Sequence, residues 1–428
     1  MTEMKHASCP ACVGSLAALV TLAPRPYQEV GRDWLAPRRT GLLADQMRVG
    51  KTPQAILAAH KAGARRVLVL CPAIAVPQWR VELDRWGYTG EADIYSYQKA
   101  LRLWRNGFFK GKTWDVFIPD ECHYVRNPTA QRTRLVYGKG SLSWRAGATW
   151  SLSGTPAVRH AGELWPMLRA FGAVGMTYND FLRRYCWFNA DERIGGTKEK
   201  LIPELVEILD PVMLRRTRKE VAPELPELDF QYLNVEGQIG DLFSAFHHVH
   251  EMVPDADLLE WIEDNAEYEA EFRIMCALAK VPALAEEIEN ALLGKLLDRV
   301  VVFGHHVAPL ETLAQVLSGL GHKTRVLNGS TTPKQRGEIQ AEFKAGAFPV
   351  LCANITTAGT AIDLSSANHA YFLELSWLPA DNLQAASRLI SMTKAEPVSA
   401  DIVTWPGSFD DRIIQVLMRR VRELAKLY

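Results

Sequence analysis

The 428-residue chain has no apolar run of the ~18 residues that a membrane-spanning helix requires. It also has no low-complexity segment and no short internal repeat. Its length suits two or three globular domains, each able to bury its own core. Cysteine is scarce and scattered: Cys9, Cys12, Cys71, Cys122, Cys186, Cys276 and Cys352. An odd number at irregular spacing argues against a disulfide framework and for a reducing compartment. Cys9 and Cys12 make a C-x-x-C pair, but no second pair completes a tetrahedral zinc site. They are read as part of an ordinary N-terminus.

Net charge is absent too, since 49 Lys+Arg balance 49 Asp+Glu. The balance hides an uneven distribution. Residues 1–230 hold 33 Lys+Arg and 23 Asp+Glu, a net of +10, and residues 231–428 hold 16 and 26, a net of −10. Residues 241–271 alone supply ten acids and no Lys or Arg. The first half can offer phosphates a basic face. The acidic stretch is expected to be a solvated helical face. At 48% apolar and 23% charged the composition is ordinary for a soluble globular protein. The twelve tryptophans are expected mainly in packing.

What is present is an alternation of strand and helix signals. "RRVLVLCP" (65–72), "WDVFIPDE" (114–121), "ATWSLSGT" (148–155), "RVVVFGHH" (299–306), "PVLCANIT" (349–356) and "HAYFLEL" (369–375) are short runs rich in Val, Ile, Phe and Leu. Between them lie stretches such as "PQAILAAHKAG" and "LETLAQVLSGLG", apolar at helical spacing. Buried strands alternating with helices imply parallel sheets covered on both faces, with ligands beyond the carboxyl ends of the strands. The pattern occurs twice. It divides the chain into an N-terminal extension (1–24), a first α/β lobe (25–230), an acidic helical insert and hinge region (231–274) and a second α/β lobe (275–428). The hinge itself is expected near 225–240, where "VAPELPELDF" is punctuated by proline.

Three local patterns carry chemistry. "LADQMRVGKT" (43–52) follows the strand signal "GLLA". There Gly50 allows close backbone approach to phosphates and Lys51 brings a point charge to the β- and γ-phosphates. The Thr52 hydroxyl can hold Mg²⁺. Pro53 fits the first helical turn, where its missing N–H costs little. The glycine expected five places before Gly50 is replaced by Asp45. In "FIPDECHYVRN", Asp120 and Glu121 close an apolar strand; Asp120 suits Mg²⁺ and Glu121 suits orienting an attacking water. In "WSLSGTPAV", Ser153, Gly154, Thr155 and Pro156 stand at another strand end, where small hydroxyl groups can bond to those carboxylates.

Taken in order, "RPYQEVGRDWL", "LADQMRVGKT", "CPAIAVPQWRVELDRW", "DECH", "SLSGTP", "MLRRTRKEV", "VVVFGHH", "LNGSTTPKQR" and "ANITTAGTAIDLSSANHAYFLELSWLPADNLQAASR" resemble the successive motifs of the Snf2 family, a branch of the superfamily 2 helicases. The likeness covers about residues 25 to 428 and is nearest to the annealing-helicase (HARP-like) branch. It implies two tandem RecA-like lobes with ATP in the cleft between them, Mg²⁺ as cofactor and DNA across both lobes. Carried over by residue, it implies that Gln28 reads the adenine edge and that Pro72 to Trp79 line the DNA path of the first lobe. Arg215, Arg216 and Arg218 match a basic stretch near the lobe junction. Asn328 to Thr331, with Ser330 and Thr331 foremost, and Thr356 and Thr357 would hold the phosphates of a DNA strand. Arg388 matches the first arginine of motif VI.

The family carries aspartate where Asp45 stands, which accounts for the missing glycine. Three departures remain. Arg48 and Ala361 stand where the family has glycine, and Ser391 replaces the second arginine of motif VI, the expected finger on the γ-phosphate. Slow turnover follows unless Arg48 or Lys394 takes that place. The expectation is a DNA-dependent ATPase and double-stranded DNA translocase that remodels or anneals forked DNA. It acts as an intracellular, cytoplasmic monomer on DNA, with protein partners for targeting and no membrane. The apolar stretch 11–23 is accordingly not taken as a secretion signal, because such an enzyme has no use outside the cell. One alternative is a degenerate ATPase that acts as a nucleotide-switched DNA-binding protein; another is an RNA-directed motor.

Overall fold

The computed structural model describes residues 23–189, 193–237, 266–359, 362–391, 394 and 396–426. Cys9, Cys12, Ala361 and most of the acidic stretch 241–271 lie outside the described residues, as does all but the last residue of the apolar stretch 11–23. Among the described residues no helix is long and apolar enough to cross a membrane.

In chain order the strands are β1 (Thr40–Leu43), β2 (Arg66–Cys71), β3 (Glu91–Ser96), β4 (Trp114–Pro119), β5 (Ala146–Leu152), β6 (Cys186–Phe188), β7 (Ile194–Thr197), β8 (Met213–Leu214), β9 (Leu228–Asn234), β10 (Val300–Gly304), β11 (Thr324–Leu327), β12 (Val350–Asn354), β13 (His369–Phe372) and β14 (Val398–Thr404). They form two six-stranded sheets, ordered β3-β2-β4-β5-β1-β8 and β11-β12-β10-β13-β14-β9, and a separate hairpin of β6 and β7. Both large sheets are parallel throughout. This is the expected fold class: two parallel-sheet α/β lobes, consistent with tandem RecA-like domains.

The period of two along each strand distributes side chains between two cores. Leu68 and Leu70 of β2 enter the core on one face of the first sheet, and Val67, Val69 and Cys71 enter the core on the other. Val301 and Phe303 of β10 face one core of the second sheet, and Val300 and Val302 face the other. A fully buried Val, Leu, Ile or Phe contributes about 1.5–3 kcal/mol. That is why these strands read as continuous apolar runs rather than alternating ones.

The lobe boundary needs a correction. β9 lies across residue 230, within the expected hinge, yet it pairs in parallel with β14 from Leu228↔Val398 to Asn234↔Thr404. The chain thus enters the second sheet, as its edge strand, before the acidic stretch begins. Nothing local marks this, because the partner strand lies far along the chain. The acidic stretch is also not wholly solvated. Glu269, at the start of the helix Ala266–Leu293, accepts from Arg273 Nη1 at 3.1 Å and from Trp377 Nε1 at 2.8 Å.

The lobes also meet through the last helix, Phe409–Ala425, which reaches back to the first lobe. Glu423 Oε2 accepts from the Thr197 amide at 3.3 Å, Lys426 pairs with Glu199 at 2.5 Å, and Leu424 packs on a first-lobe core.

Candidate active site

The order of the first sheet puts β4, β5 and β1 side by side. Their carboxyl ends lead into the Asp120–Glu121 pair, the Ser153–Pro156 turn and the Gly50–Lys51–Thr52 loop. All three expected segments therefore converge on one edge.

Gly50 precedes the helix Lys51–Lys61 in the left-handed conformation, φ 76°. The backbone therefore favours glycine, and a Cβ there would stand 2.5 Å from Gln28 Nε2 and displace that side chain. Gln28 is buried against the loop, its Oε1 accepting from the Arg25 amide at 2.9 Å. Lys51 Nζ donates to the carbonyls of Asp45 at 2.9 Å and Gln46 at 3.4 Å. Burial pulls the Lys51 pKa down, while Glu121, Asp45 and Asp120 hold it up. Gly154, at the end of β5, lets this strand approach the loop: a Cβ would lie 2.9 Å from Met47 Cγ and 3.4 Å from Lys51 Nζ.

Asp45 is 0% exposed. Its oxygens accept from Arg216 Nε at 3.0 Å, Arg216 Nη2 at 2.5 Å and Gln54 Nε2 at 3.1 Å. Arg216 also donates to Tyr27 O at 2.8 Å and Gln54 Oε1 at 2.8 Å. A planar fork matched to a buried carboxylate thus pins the start of the loop to the strand end after β8. Arg215 donates to the carbonyls of Ala44 and Gly154, both at 3.0 Å, and so also braces the loop.

Asp120 Oδ2 accepts from Trp79 Nε1 at 2.8 Å, Oδ1 accepts from the Glu121 amide at 3.0 Å, and its carbonyl accepts from Tyr97 OH at 2.7 Å. An ionised carboxylate has about four lone-pair sites, so Asp120 retains capacity for a cation. Glu121 sits in the left-handed region, φ 50°, which turns its side chain out of the strand direction. Burial, then the repulsion of Glu121, raises the Asp120 pKa; burial also raises that of Glu121, against the pull of Lys51 and Arg388. Among the described residues Glu121 Oε2 is buried without a hydrogen bond. His123 Nδ1 shares a hydrogen bond with Ser153 Oγ at 3.0 Å and lies 3.3 Å from Glu121 Oε2. Burial lowers the His123 pKa to about 4, so the ring is neutral and the approach to Glu121 is not an ion pair.

The second lobe closes this site. Gln384 Nε2 donates to Glu121 Oε1 at 3.4 Å. Arg388 donates through Nη2 to the Gly359 carbonyl, and its buried Nε has no hydrogen-bond partner among the described residues. Burial, then the neighbouring charge of Arg48, lowers its pKa to about 9. Arg48 belongs to the loop before Lys51 and adopts φ 68°, a conformation that costs a non-glycine residue roughly 1–2 kcal/mol. It reaches over to carbonyls of the second lobe: Nε to Ser387 at 3.1 Å, Nη2 to Ile362 and to Arg388, both at 3.4 Å. Gln28, Arg48, Gly50, Lys51, Thr52, Asp120, Glu121, Gln384, Arg388 and Ser391 all line one cavity of about 620 Å³. That is within the usual range for a small-molecule site.

Three expectations change. Lys394 is no substitute cation, because its Nζ is used inside the second lobe by the carbonyls of Ser365, Ala367 and Leu389. Trp79 is buried and serves Asp120 rather than an outer DNA path; Pro72 lines the nucleotide-sized cavity. Thr357 is buried in the turn after β12, its amide bonded to Asn354 Oδ1 at 3.3 Å. Thr356 and Ser330 are exposed and Thr331 half-exposed, at the carboxyl ends of the adjacent strands β12 and β11. Asn328 Oδ1 orders that edge, accepting from the Ser330 amide at 3.0 Å. Tyr97 and Gln384 were not singled out by sequence reasoning, and Trp79 was given another role. Gln384 alone left a trace there, one helical turn before Arg388.

Among the described residues no cluster of three or more His, Cys, Asp or Glu side chains could hold a metal ion. Mg²⁺ needs less, since it is commonly held by one or two protein oxygens with substrate phosphates and water. Thr52 and the remaining lone pairs of Asp120 fit that requirement.

Comparison with known proteins matches residues 94–240 to the family "SNF2-related domain" and residues 280–392 to "Helicase conserved C-terminal domain". The chain is 24% identical to the SWI/SNF-related matrix-associated actin-dependent regulator of chromatin subfamily A-like protein 1 of Drosophila melanogaster, over 98% of the chain and 58% of that protein. It is 24% identical to the DNA annealing helicase and endonuclease ZRANB3 of Mus musculus, over 93% of the chain and 40% of that protein. It is 24% identical to the putative ATP-dependent helicase/translocase YwqA of Bacillus subtilis, over 91% and 47%. The chain thus spans about half the length of the curated relatives it matches. Among solved structures, the Sulfolobus solfataricus SWI2/SNF2 ATPase core in complex with dsDNA aligns over 94% of this chain and 92% of that chain, at 20% identity and a TM-score of 0.42.

Proposed function

We propose that the chain, which joins an SNF2-related domain to a helicase C-terminal domain, is a Snf2-type ATP-driven translocase on double-stranded DNA. Remodelling or annealing of forked DNA is the task in view. The observation that carries this reading is the convergence of Lys51, Asp120 and Glu121 from one lobe with Gln384 and Arg388 from the other on a single cavity. A motor needs its chemistry at a joint, so that hydrolysis changes the relation between the lobes.

ATP is the substrate. Lys51 and the amides at the start of its helix bind the phosphates. Mg²⁺, when bound by Thr52 and Asp120, supplies neutralisation of phosphate charge. Glu121 orients a water and takes its proton as the new O–P bond forms and the bond to the β–γ bridging oxygen breaks, leaving ADP with that electron pair. A raised Glu121 pKa makes the carboxylate a better proton acceptor. Ser330, Thr331 and Thr356 are proposed to hold backbone phosphates of one strand, which is sequence-blind contact. Protein partners supply targeting, and the chain works as a monomer.

A second reading, a nucleotide-switched DNA-binding protein with little turnover, is favoured by one observation: serine stands at 391, at the cavity wall. Phosphate release from the purified chain, measured with no nucleic acid and with single-stranded DNA, duplex DNA, forked DNA and duplex RNA, separates the readings. Duplex or fork stimulation abolished in Glu121→Gln supports the translocase. Binding without hydrolysis supports the switch, and stronger stimulation by RNA overturns both. Binding on two unrelated duplexes should fall steeply with salt and differ little between them.

A further inference from the structure

Arg48 is the most unusual residue of the cavity. It stands three residues before Lys51, in a backbone conformation that glycine adopts freely and arginine does not. Among the described residues the hydrogen bonds of its side chain all go to the second lobe, so nothing in its own lobe repays that strain. Those acceptors are the carbonyls of Ile362, Ser387 and Arg388, and among the described residues no carboxylate forms an ion pair with Arg48. Nε and Nη2 are occupied, and Nη1 has no hydrogen bond among the described residues.

Arg388 faces the same cavity, and among the described residues it lacks a carboxylate partner and its buried Nε has no hydrogen bond. Burial, and after it the neighbouring charge of Arg48, disfavours the charged form of Arg388. Asp363 and Glu121 also line the cavity and offset this only in part. Lys51 is offset by Glu121, Asp45 and Asp120, whereas Arg48 and Arg388 form no ion pair with a carboxylate among the described residues, and a polyanion completes that pair. The strongest acceptor such a ligand offers is a terminal phosphate.

We propose that Arg48 is a catalytic residue of this cleft, a guanidinium held across it by second-lobe carbonyls so that Nη1 binds the terminal phosphate of a nucleoside triphosphate. The proposal rests on the reading of the cavity as an ATP site. Arg48 supplies the charge that Ser391 cannot, and from the opposite lobe. Its orientation exists only while the lobes are together, because its three acceptors belong to the other lobe. Charge reaches the departing phosphoryl group only in the closed arrangement, so hydrolysis is tied to closure. As water's oxygen bonds to the γ-phosphorus and the bridging oxygen leaves with ADP, charge builds on the γ-oxygens, and Arg48 meets it there.

The test compares Arg48→Ala, Arg48→Gly and Arg48→Lys with the wild-type chain. It measures DNA-stimulated kcat, thermal midpoint, and the affinities for ADP and for a non-hydrolysable ATP analogue. Arg48→Ala and Arg48→Gly should lower kcat by about 10²-fold or more, as loss of a charge on the transferred phosphoryl group does. ADP affinity should stay within a few-fold, while the preference for the triphosphate analogue over ADP shrinks. Arg48→Gly relieves the backbone, so its thermal midpoint should not fall below that of Arg48→Ala. Arg48→Lys keeps charge without the fork and should lie between. Adding Ser391→Arg to Arg48→Gly places a guanidinium at the cavity wall again and should recover part of the rate.

If kcat of both Arg48→Ala and Arg48→Gly stays within threefold of wild type while Lys51→Ala is inactive, Arg48 is not catalytic and the ATP site stands. If kcat, ADP affinity and thermal midpoint fall together, and Ser391→Arg recovers nothing, Arg48 is a structural brace and the proposal fails. If wild type neither binds nor hydrolyses ATP under any condition, the ATP reading itself falls and takes this inference with it.

Discussion

Replacing Asp45 by alanine tests how the phosphate loop is held. Asp45 is completely buried, and its two oxygens receive Arg216 Nε, Arg216 Nη2 and Gln54 Nε2. Asp45→Ala removes the carboxylate and leaves the Arg216 charge among Tyr27 O and Gln54 Oε1. Removing one partner of a buried pair costs about 3–5 kcal/mol. Arg216 keeps two acceptors, so the lower end applies, about 3 kcal/mol. For a unit of roughly 200 residues each kcal/mol moves the thermal midpoint by about 2–4 °C, which gives a fall of about 6–12 °C. Circular dichroism melts and urea titrations read this directly. Asp45→Leu combined with Arg216→Met removes both charges, and it should be less damaged than either single change, because no buried charge is left unpaired. Two results refute the reasoning: an Asp45→Ala protein within about 0.5 kcal/mol of wild type, or a double variant that loses the sum of the two singles.

Lys51→Ala should weaken nucleotide binding and abolish turnover, whereas Glu121→Gln should bind ATP yet fail to hydrolyse it; equilibrium binding beside phosphate release distinguishes the two. Trp79→Phe keeps the buried ring but removes the hydrogen bond that favours ionised Asp120, so the acid limb of the pH–kcat profile should move upward by roughly half to one pH unit. His123 has its folded pKa lowered from the ordinary 6.5 to about 4, so its neutral form contributes stability that is intact above pH 6.5 and is lost as pH falls through that window toward 4. At 1.36 kcal/mol per pH unit the loss by pH 4.5 is at most about 2–3 kcal/mol, and His123→Asn should flatten the acid limb of a urea-stability profile by that amount.

The residues legible without a structure were those whose role is local. Gly50, Lys51 and Thr52 occupy a strand–turn–helix, and Asp120 and Glu121 a strand end. In both places adjacent positions suffice to orient the groups, because backbone geometry extends over only a few residues. The repeated strand–helix pattern was legible for the same reason: burial on both faces leaves continuous apolar runs. Asp45 could be noticed as an exception to a phosphate loop, but its reason lies in Arg216, which the fold brings in from beyond the whole first sheet.

The rest depended on contacts between distant segments. β9 looked like part of a proline-marked hinge and became the edge of the second sheet through pairing with β14. Lys394 and Arg48 were equal in sequence as spare cations near Ser391. Packing separated them, enclosing Lys394 among carbonyls of its own lobe and stretching Arg48 over the cleft to the other. Trp79 was drawn inward to Asp120 by packing within the first lobe, and Gln384 was brought across to Glu121 by the meeting of the lobes. A sequence specifies which groups exist and how each short segment turns; which charge ends beside which phosphate-facing group is decided only when two independently folded sheets meet, because that energy belongs to neither segment alone.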